Sequence, residues 1–341
     1  LADESIENQA RERRSQLMSA SMPRLRSLIR TCCGSGILAL IPVGTAAPEA
    51  PAAPPMPVVV VIDSGIAGNH PAFEGKLMVN EVVAPTLPKP MRTGTGKHWP
   101  GWDFVENDAD PQDRTGHGTH VAGLIASELG GREPIGLVVM FRTGDRQHEL
   151  DQVTAALESV IALRAKGWDI PMVLCAFDYR RQKADGDKYN GFKQIFETLL
   201  KSGVICVCAA GNSGSDLDKS GMEDHFQVAL KHPALIVVAA GTNDGQLLAA
   251  SNYGAGTVAL AAPGFAVESA AKDGGRTALS GSSQAAAVVA GRLAAEAITS
   301  KERDPKVLRA WLLKQVRIHP SLVGRVECAG YLPATASKGK E

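Results

Sequence analysis

The sequence predicts an α/β fold, a doubly wound and mainly parallel sheet with helices on both faces. Two observations carry this. Beyond residue 57, strand-like runs alternate with helix-length stretches, which is the pattern of parallel strands joined by helical crossovers. The first run, Val58 to Ile62, is apolar at every position, as a strand buried on both faces must be. With 341 residues, 44% of them hydrophobic, the chain can enclose one substantial core.

Taken in order, residues 3–30 are charged and polar, with Arg11, Arg13, Arg14, Arg24, Arg26 and Arg30, and read as a short helix or an arm. An apolar segment, Gly36 to Val43, leads into the linker APEAPAAPPMP at 47–57. Its prolines lack the amide donor and fix φ, so it reads as extended chain. Strands are then predicted near 58–62, 135–141, 170–177, 204–210, 234–240 and 257–262, and helices near 116–130, 149–166, 189–202, 283–300 and 304–316. No internal repeat is visible.

Composition excludes several function classes. The 36 basic and 36 acidic residues cancel, so no basic excess points to nucleic acid. No phosphate-binding GxxxxGK[ST] loop and no Cys/His zinc spacing occur. No stretch approaches the roughly 20 apolar residues of a membrane span.

Three segments hold residues that hydrolytic chemistry needs: VVVVIDSGIAGNHPAF at 58–73, DRTGHGTHVAGLIA at 113–126 and LSGSSQAAAVVAG at 279–291. A serine hydroxyl is a weak nucleophile near neutral pH and needs a base to take its proton. A histidine serves, provided a carboxylate fixes its tautomer and stabilises the imidazolium. Asp63 ends the first apolar run, at the sheet edge where open α/β folds place their sites; a turn or helix-capping Asp is the plain alternative. His117 stands between two glycines at the start of an apolar helix, with His120 three residues on. Gly281-Ser282-Ser283 opens a helix of small residues, which could also be merely a Ser/Ala-rich helix. A fourth segment, CAAGNSG at 208–214, ends a buried run at Gly211-Asn212. That Asn amide can donate to an oxyanion or simply form a Gly-Asn turn.

Four such segments in the order Asp, His, Asn, Ser resemble the subtilisin-like serine proteases, the subtilase or peptidase S8 family. Gly101-Trp102-Asp103-Phe104-Val105, Ser251-Asn252-Tyr253-Gly254 and Ala262-Pro263-Gly264 extend the resemblance over roughly 57–300. It implies that Ser283 is the nucleophile, His117 the base and Asp63 its orienting carboxylate, with His120 structural. It also implies an oxyanion site formed by Asn212 and the Ser283 amide. Ser282 takes the place of the family's threonine, while Ala287 and Val288 replace the usual proline and histidine. Cys175, Ala176 and Phe177 on one side and Ala209, Ala210 and Gly211 on the other would form the substrate groove. In this register Phe177 replaces a glycine, which predicts a crowded pocket for the side chain preceding the cleaved bond. The short loop from Glu128 to Gly136 gives no reason to predict calcium, and the chemistry requires no cofactor.

The expected organisation is an arm and linker over 1–56, a catalytic domain over 57–320 and a tail over 321–341. The expected function is that of a serine endopeptidase acting on proteins or peptides through an acyl-enzyme. A subtilase-fold binding or regulatory module with impaired turnover is the alternative from another class. An esterase or peptide ligase using the same triad is a third. Of the six cysteines, Cys206 and Cys208 face one side of a strand with Cys175 beside them, while Cys32-Cys33 are adjacent. They read as free thiols, favouring a reducing compartment. Residues 22–47 have the layout of a signal peptide but lie inside the chain, and the reading leans to the cytoplasm.

Overall fold

The computed structural model describes residues 57–74, 76, 101–108, 110–130, 137–142 and 149–334. The predicted arm and linker, with Cys32 and Cys33, most of the loop after the histidine helix, and residues 335–341 lie outside them. Among the described residues a nine-stranded sheet forms the framework. Its strands are β1 (Val58–Asp63), β2 (Gly101–Asp103), β3 (Leu137–Arg142), β4 (Met172–Cys175), β5 (Ile205–Ala209), β6 (Leu235–Gly241), β7 (Leu260–Pro263), β10 (Arg317–Ile318) and β11 (Gly330–Tyr331). The order is β10-β11-β7-β6-β5-β4-β1-β3-β2, and every neighbouring pair is parallel except β10 with β11. A two-stranded antiparallel hairpin, β8 (Val267–Ala270) with β9 (Arg276–Leu279), lies outside this sheet.

The period of two along each strand sorts the core into two layers. Val59 and Val61 of β1, Leu174 of β4, Val207 of β5 and Val238 of β6 face α1 (His117–Leu129) and α5 (Ser282–Ser300). Leu308 and Leu312 of α6 (Pro305–Lys314) join that layer. Val58, Val60 and Ile62, with Val173, Cys175, Cys206 and Cys208, face α2 (Glu149–Ala165) and α3 (Lys188–Lys201). Rings of Tyr189, Phe192, Phe196 and Phe226 pack together in this second layer, Phe226 from the one-turn helix α4 (Phe226–Ala229). Cys175, Cys206, Cys208 and Cys328 are free thiols, and burial pushes the Cys206 and Cys208 thiols up. No described helix is long and apolar enough to cross a membrane.

The topology explains where a site can form. The chain leaves β1 for β3 on one side and then returns to β4 on the other, so the winding direction reverses about β1. In such sheets the crevice beyond the carboxyl ends of the strands at this reversal receives ligands.

One boundary differs from expectation. Residues 321–332 are part of the fold rather than a tail. Leu322, Val326, Tyr331 and Leu332 are buried, and Tyr331 pairs with Ala261 of β7. These apolar positions are separated by charged and glycine residues, so no periodic run announces them. Their order comes from the open edge of β7.

Candidate active site

Asp63 is the last residue of β1 and is almost fully buried, its side chain only 4% exposed. Its Oδ1 accepts the Ser64 amide at 2.7 Å and lies 2.8 Å from His117 Nδ1. With Nδ1 donating to this carboxylate, His117 Nε2 carries the lone pair that a base needs. The Asp63 charge raises the His117 pKa above the ordinary value of 6.5, with burial opposing and the Asp63 hydrogen bond and the Asp113 charge assisting. The imidazole remains 37% exposed, open to a substrate.

Asp113, which sequence reading left unassigned, builds the start of α1 beneath this histidine. It is 4% exposed. Oδ1 accepts Ser64 Oγ, the Thr115 amide and the Gly116 amide, and Oδ2 accepts the Thr119 amide and Thr119 Oγ1, all within 3.0 Å. Burial alone would raise this carboxyl, but these donors together hold it below the usual carboxylate value. Its signal was available, an Asp just ahead of a helix, but Gly116 occupies the capping position itself and hides it. Gly118 allows the approach of α1 to the turn after β1, since a β-carbon there would lie 2.1 Å from the Gly65 carbonyl oxygen. His120 is fully buried, and Nε2 is shared by the Val267 and Thr277 carbonyls of the β8–β9 hairpin. It fastens α1 to that hairpin.

The two serines divide the work at the start of α5. Ser282 is fully buried and its Oγ accepts the Gly211 amide at 3.0 Å while donating to Asn212 Oδ1 at 3.1 Å. Its amide also donates to Asn212 Oδ1, at 2.8 Å. These bonds turn the Asn212 amide group so that Nδ2 is the end left for the cleft, where Asn212 is exposed. Ser283 Oγ donates to the Ala176 carbonyl at 2.8 Å rather than to His117. Ser283 is therefore at the ends of β4 and β5, one strand from Asp63, with its hydroxyl resting on the β4 segment. Ala287 is fully buried within α5, which runs unbroken from Ser282 without the proline.

Asn252, quoted above only as a landmark, braces the loop that carries Asn212. It is fully buried, donates from Nδ2 to the Ala210 carbonyl and accepts at Oδ1 from Ser213 and Ser215. Gly211 sits at φ +101°, and a β-carbon there would lie 2.4 Å from Asn252 Nδ2 and 2.6 Å from Asp178 Oδ2.

The expected groove is corrected at several residues. Cys175 is paired on both sides, with Ile62 and Cys208, and its side chain is fully buried, so it cannot line a cleft. Phe177 turns its ring into the α3 layer, 5.8 Å from the ring of Phe226, and does not crowd the pocket. Ala176 and Gly211 are buried as well, but are tied to Ser283 and Ser282 at the start of α5. Ala209 and Ala210 are buried behind the cleft. Gly211 is faced by the side chains of Asn252 and Asp178, the latter one residue later than the sequence register placed the groove.

The chain is similar to proteins of known family and structure. The family model of the subtilase family covers residues 56–325. Thermitase from Thermoactinomyces vulgaris is 27% identical over 164 residues, 46% of this chain and 48% of that protein. Alkaline serine exoprotease A of Vibrio alginolyticus is 30% identical over 160 residues, 46% of this chain and 24% of that protein. The alignments thus span half or less of these relatives' own length. Among solved structures, that of a cold adapted subtilisin-like serine proteinase superposes with a TM-score of 0.61 at 25% identity, covering 82% of this chain and 89% of that one.

Proposed function

The chain belongs to the subtilase family, and from that premise we propose that it is a serine endopeptidase hydrolysing peptide bonds in proteins or peptides. The observation that carries this is the His117–Asp63 pair, 2.8 Å apart at the reversal point of the sheet and open to the cleft. Ser283 attacks the scissile carbonyl and His117 takes its proton. The carbonyl oxygen, now an oxyanion, is received by Asn212 Nδ2 and the Ser283 amide. Protonated His117 then gives its proton to the leaving amine, which departs and leaves an acyl-Ser283 ester. Water, deprotonated by His117, releases the acid and restores Ser283. The Asp63 carboxylate stabilises the imidazolium. Every group required is a side chain or backbone amide of this chain, and the reading needs no cofactor.

The reading of a binding module without turnover draws on the bond from Ser283 Oγ to the Ala176 carbonyl. Rotation about one side-chain bond frees this hydroxyl, and catalytic hydrogen bonds are often long or misaligned before substrate arrives. The preset His117–Asp63 pair and the oriented Asn212 favour hydrolysis. The test is degradation of an unfolded protein such as reduced casein by the chain and by Ser283→Ala. Internal cleavage by the parent alone is expected. Intact casein with both, or equal cleavage by both, would refute the assignment.

A further inference from the structure

From the environment of Asp178 we infer that this residue, held by His225, selects substrates with arginine or lysine on the acyl side of the cleaved bond. The inference deepens the endopeptidase reading and rests on it. Strands β4 and β5 are hydrogen bonded up to the pair Cys175–Cys208 and then diverge. Ala176 carries the rest position of Ser283 Oγ on one lip, and Gly211 is tied to Ser282 on the other. A peptide whose carbonyl lies at Ser283, with its oxygen toward Asn212, must send the adjoining side chain into the gap between these lips.

Asp178 stands in that gap. Its Oδ2 would touch a β-carbon at Gly211, at 2.6 Å, so the carboxylate faces the oxyanion-loop wall directly. Oδ1 lies 2.8 Å from His225 Nδ1, and the His225 side chain is only 8% exposed against 23% for Asp178. The histidine is thus a buried brace that orients the carboxylate, while the carboxylate retains access to the groove. Among the described residues Oδ2 takes no hydrogen bond of its own. Arg181, close in sequence, has its guanidinium over the Tyr189 ring, 5.5 Å from the centroid, and its amide on the Asp224 carbonyl. Gln227, two residues after His225, donates to the Ala209 carbonyl and fixes the floor of the same wall.

A partly desolvated carboxylate with one free oxygen is a receptor for a guanidinium or an ammonium. It favours a cationic side chain by charge pairing and disfavours an acidic one by repulsion, and both contribute to selectivity. Large apolar side chains gain little, because entering would strip water from Asp178 without a compensating partner.

The experiment uses the full chain and peptides identical except for Arg, Lys, Leu or Glu at that position. The kcat/KM for Arg should exceed that for Leu by at least about tenfold, as expected when a partly desolvated carboxylate gains a cationic partner. Asp178→Asn keeps an acceptor for His225 but removes the charge, and should lower the Arg-to-Leu ratio by about tenfold or more. A Leu preference in the parent, or a ratio unmoved by Asp178→Asn, would overturn the inference while leaving the endopeptidase reading intact. If no peptide is turned over, that reading fails instead, and benzamidine binding to the Ser283→Ala chain decides the present point. Binding that is lost with the added Asp178→Asn change upholds it. Benzamidine that does not bind, or binds equally to both, refutes it.

Discussion

Asn212 owes its usefulness to where its oxygen is spent. With Oδ1 held by the amide and hydroxyl of Ser282, the amide donors have one direction left, toward the cleft. Such preset donors act where charge develops, and Asn212→Ala should cost about 3–4 kcal/mol in kcat, roughly 100- to 1,000-fold, with little change in KM. A matching rise in KM would instead mark Asn212 as a structural turn. His117 makes a second prediction, since it works only when neutral. Its pKa is raised, so the acid limb of kcat/KM should have its midpoint above 6.5, and a limb at or below that value would contradict the Asp63 pairing. The same shift means that protonated His117 stabilises the fold fully below pH 6.5, a contribution lost as pH rises through the folded value. Asp63 and His117 were readable in the sequence because Asp63 ends one apolar run and His117 opens another. Asp178 was not, because its role depends on where β4 and β5 part, which a strand pattern leaves open by one residue.

At the scale of elements, the start of α1 is the most tightly specified part of the site. Asp113 gathers donors from the β1 turn, from Thr115 and Gly116 just ahead of α1 and from Thr119 within it, joining the two elements that carry Asp63 and His117. Replacing Asp113 by Ala leaves the buried amide and hydroxyl of Thr119 unsatisfied, at about 1–3 kcal/mol for each one that finds no water, and frees the part-buried donors of Ser64 and Gly116. The expected outcome is a large fall in the denaturation midpoint, with activity lost in proportion to misplacement of His117. Unchanged stability would show that the loop re-forms its bonds without the carboxylate. Because the Asp113 pKa is depressed, its stabilising share is complete above the ordinary carboxyl value of 3.8 and is lost as pH falls through the lower folded value. The long, buried elements α1, α2, α3 and α5 and strands β1, β4, β5 and β6 were legible from apolar patterning. The hairpin β8–β9 was not, since Val267 and Glu268 and all four residues of β9 keep some exposure and carry no alternation. The two-residue strands β10 and β11 exist only because each finds a partner.

Over the whole molecule, the candidate cleft lies on a sheet that the C-terminal residues extend beyond β7. Ending the chain after Pro320 would remove the buried Leu322, Val326, Tyr331 and Leu332 and expose the edge of β7. At roughly 1.5–3 kcal/mol for each fully buried large side chain, this is comparable to the whole stability of a typical domain. The shortened chain should fail to give a cooperative urea transition by tryptophan fluorescence, whereas a wild-type-like transition would restore the reading of that segment as a tail. The central claim, that this fold activates one serine, is tested most directly by a fluorophosphonate, which reacts with hydroxyls made nucleophilic by a neighbouring base. After brief labelling of the intact chain, peptide mass spectrometry should find the adduct on Ser283 alone, absent from Ser283→Ala and strongly diminished in His117→Ala. An adduct on Ser282, or no adduct on a folded chain, would contradict it.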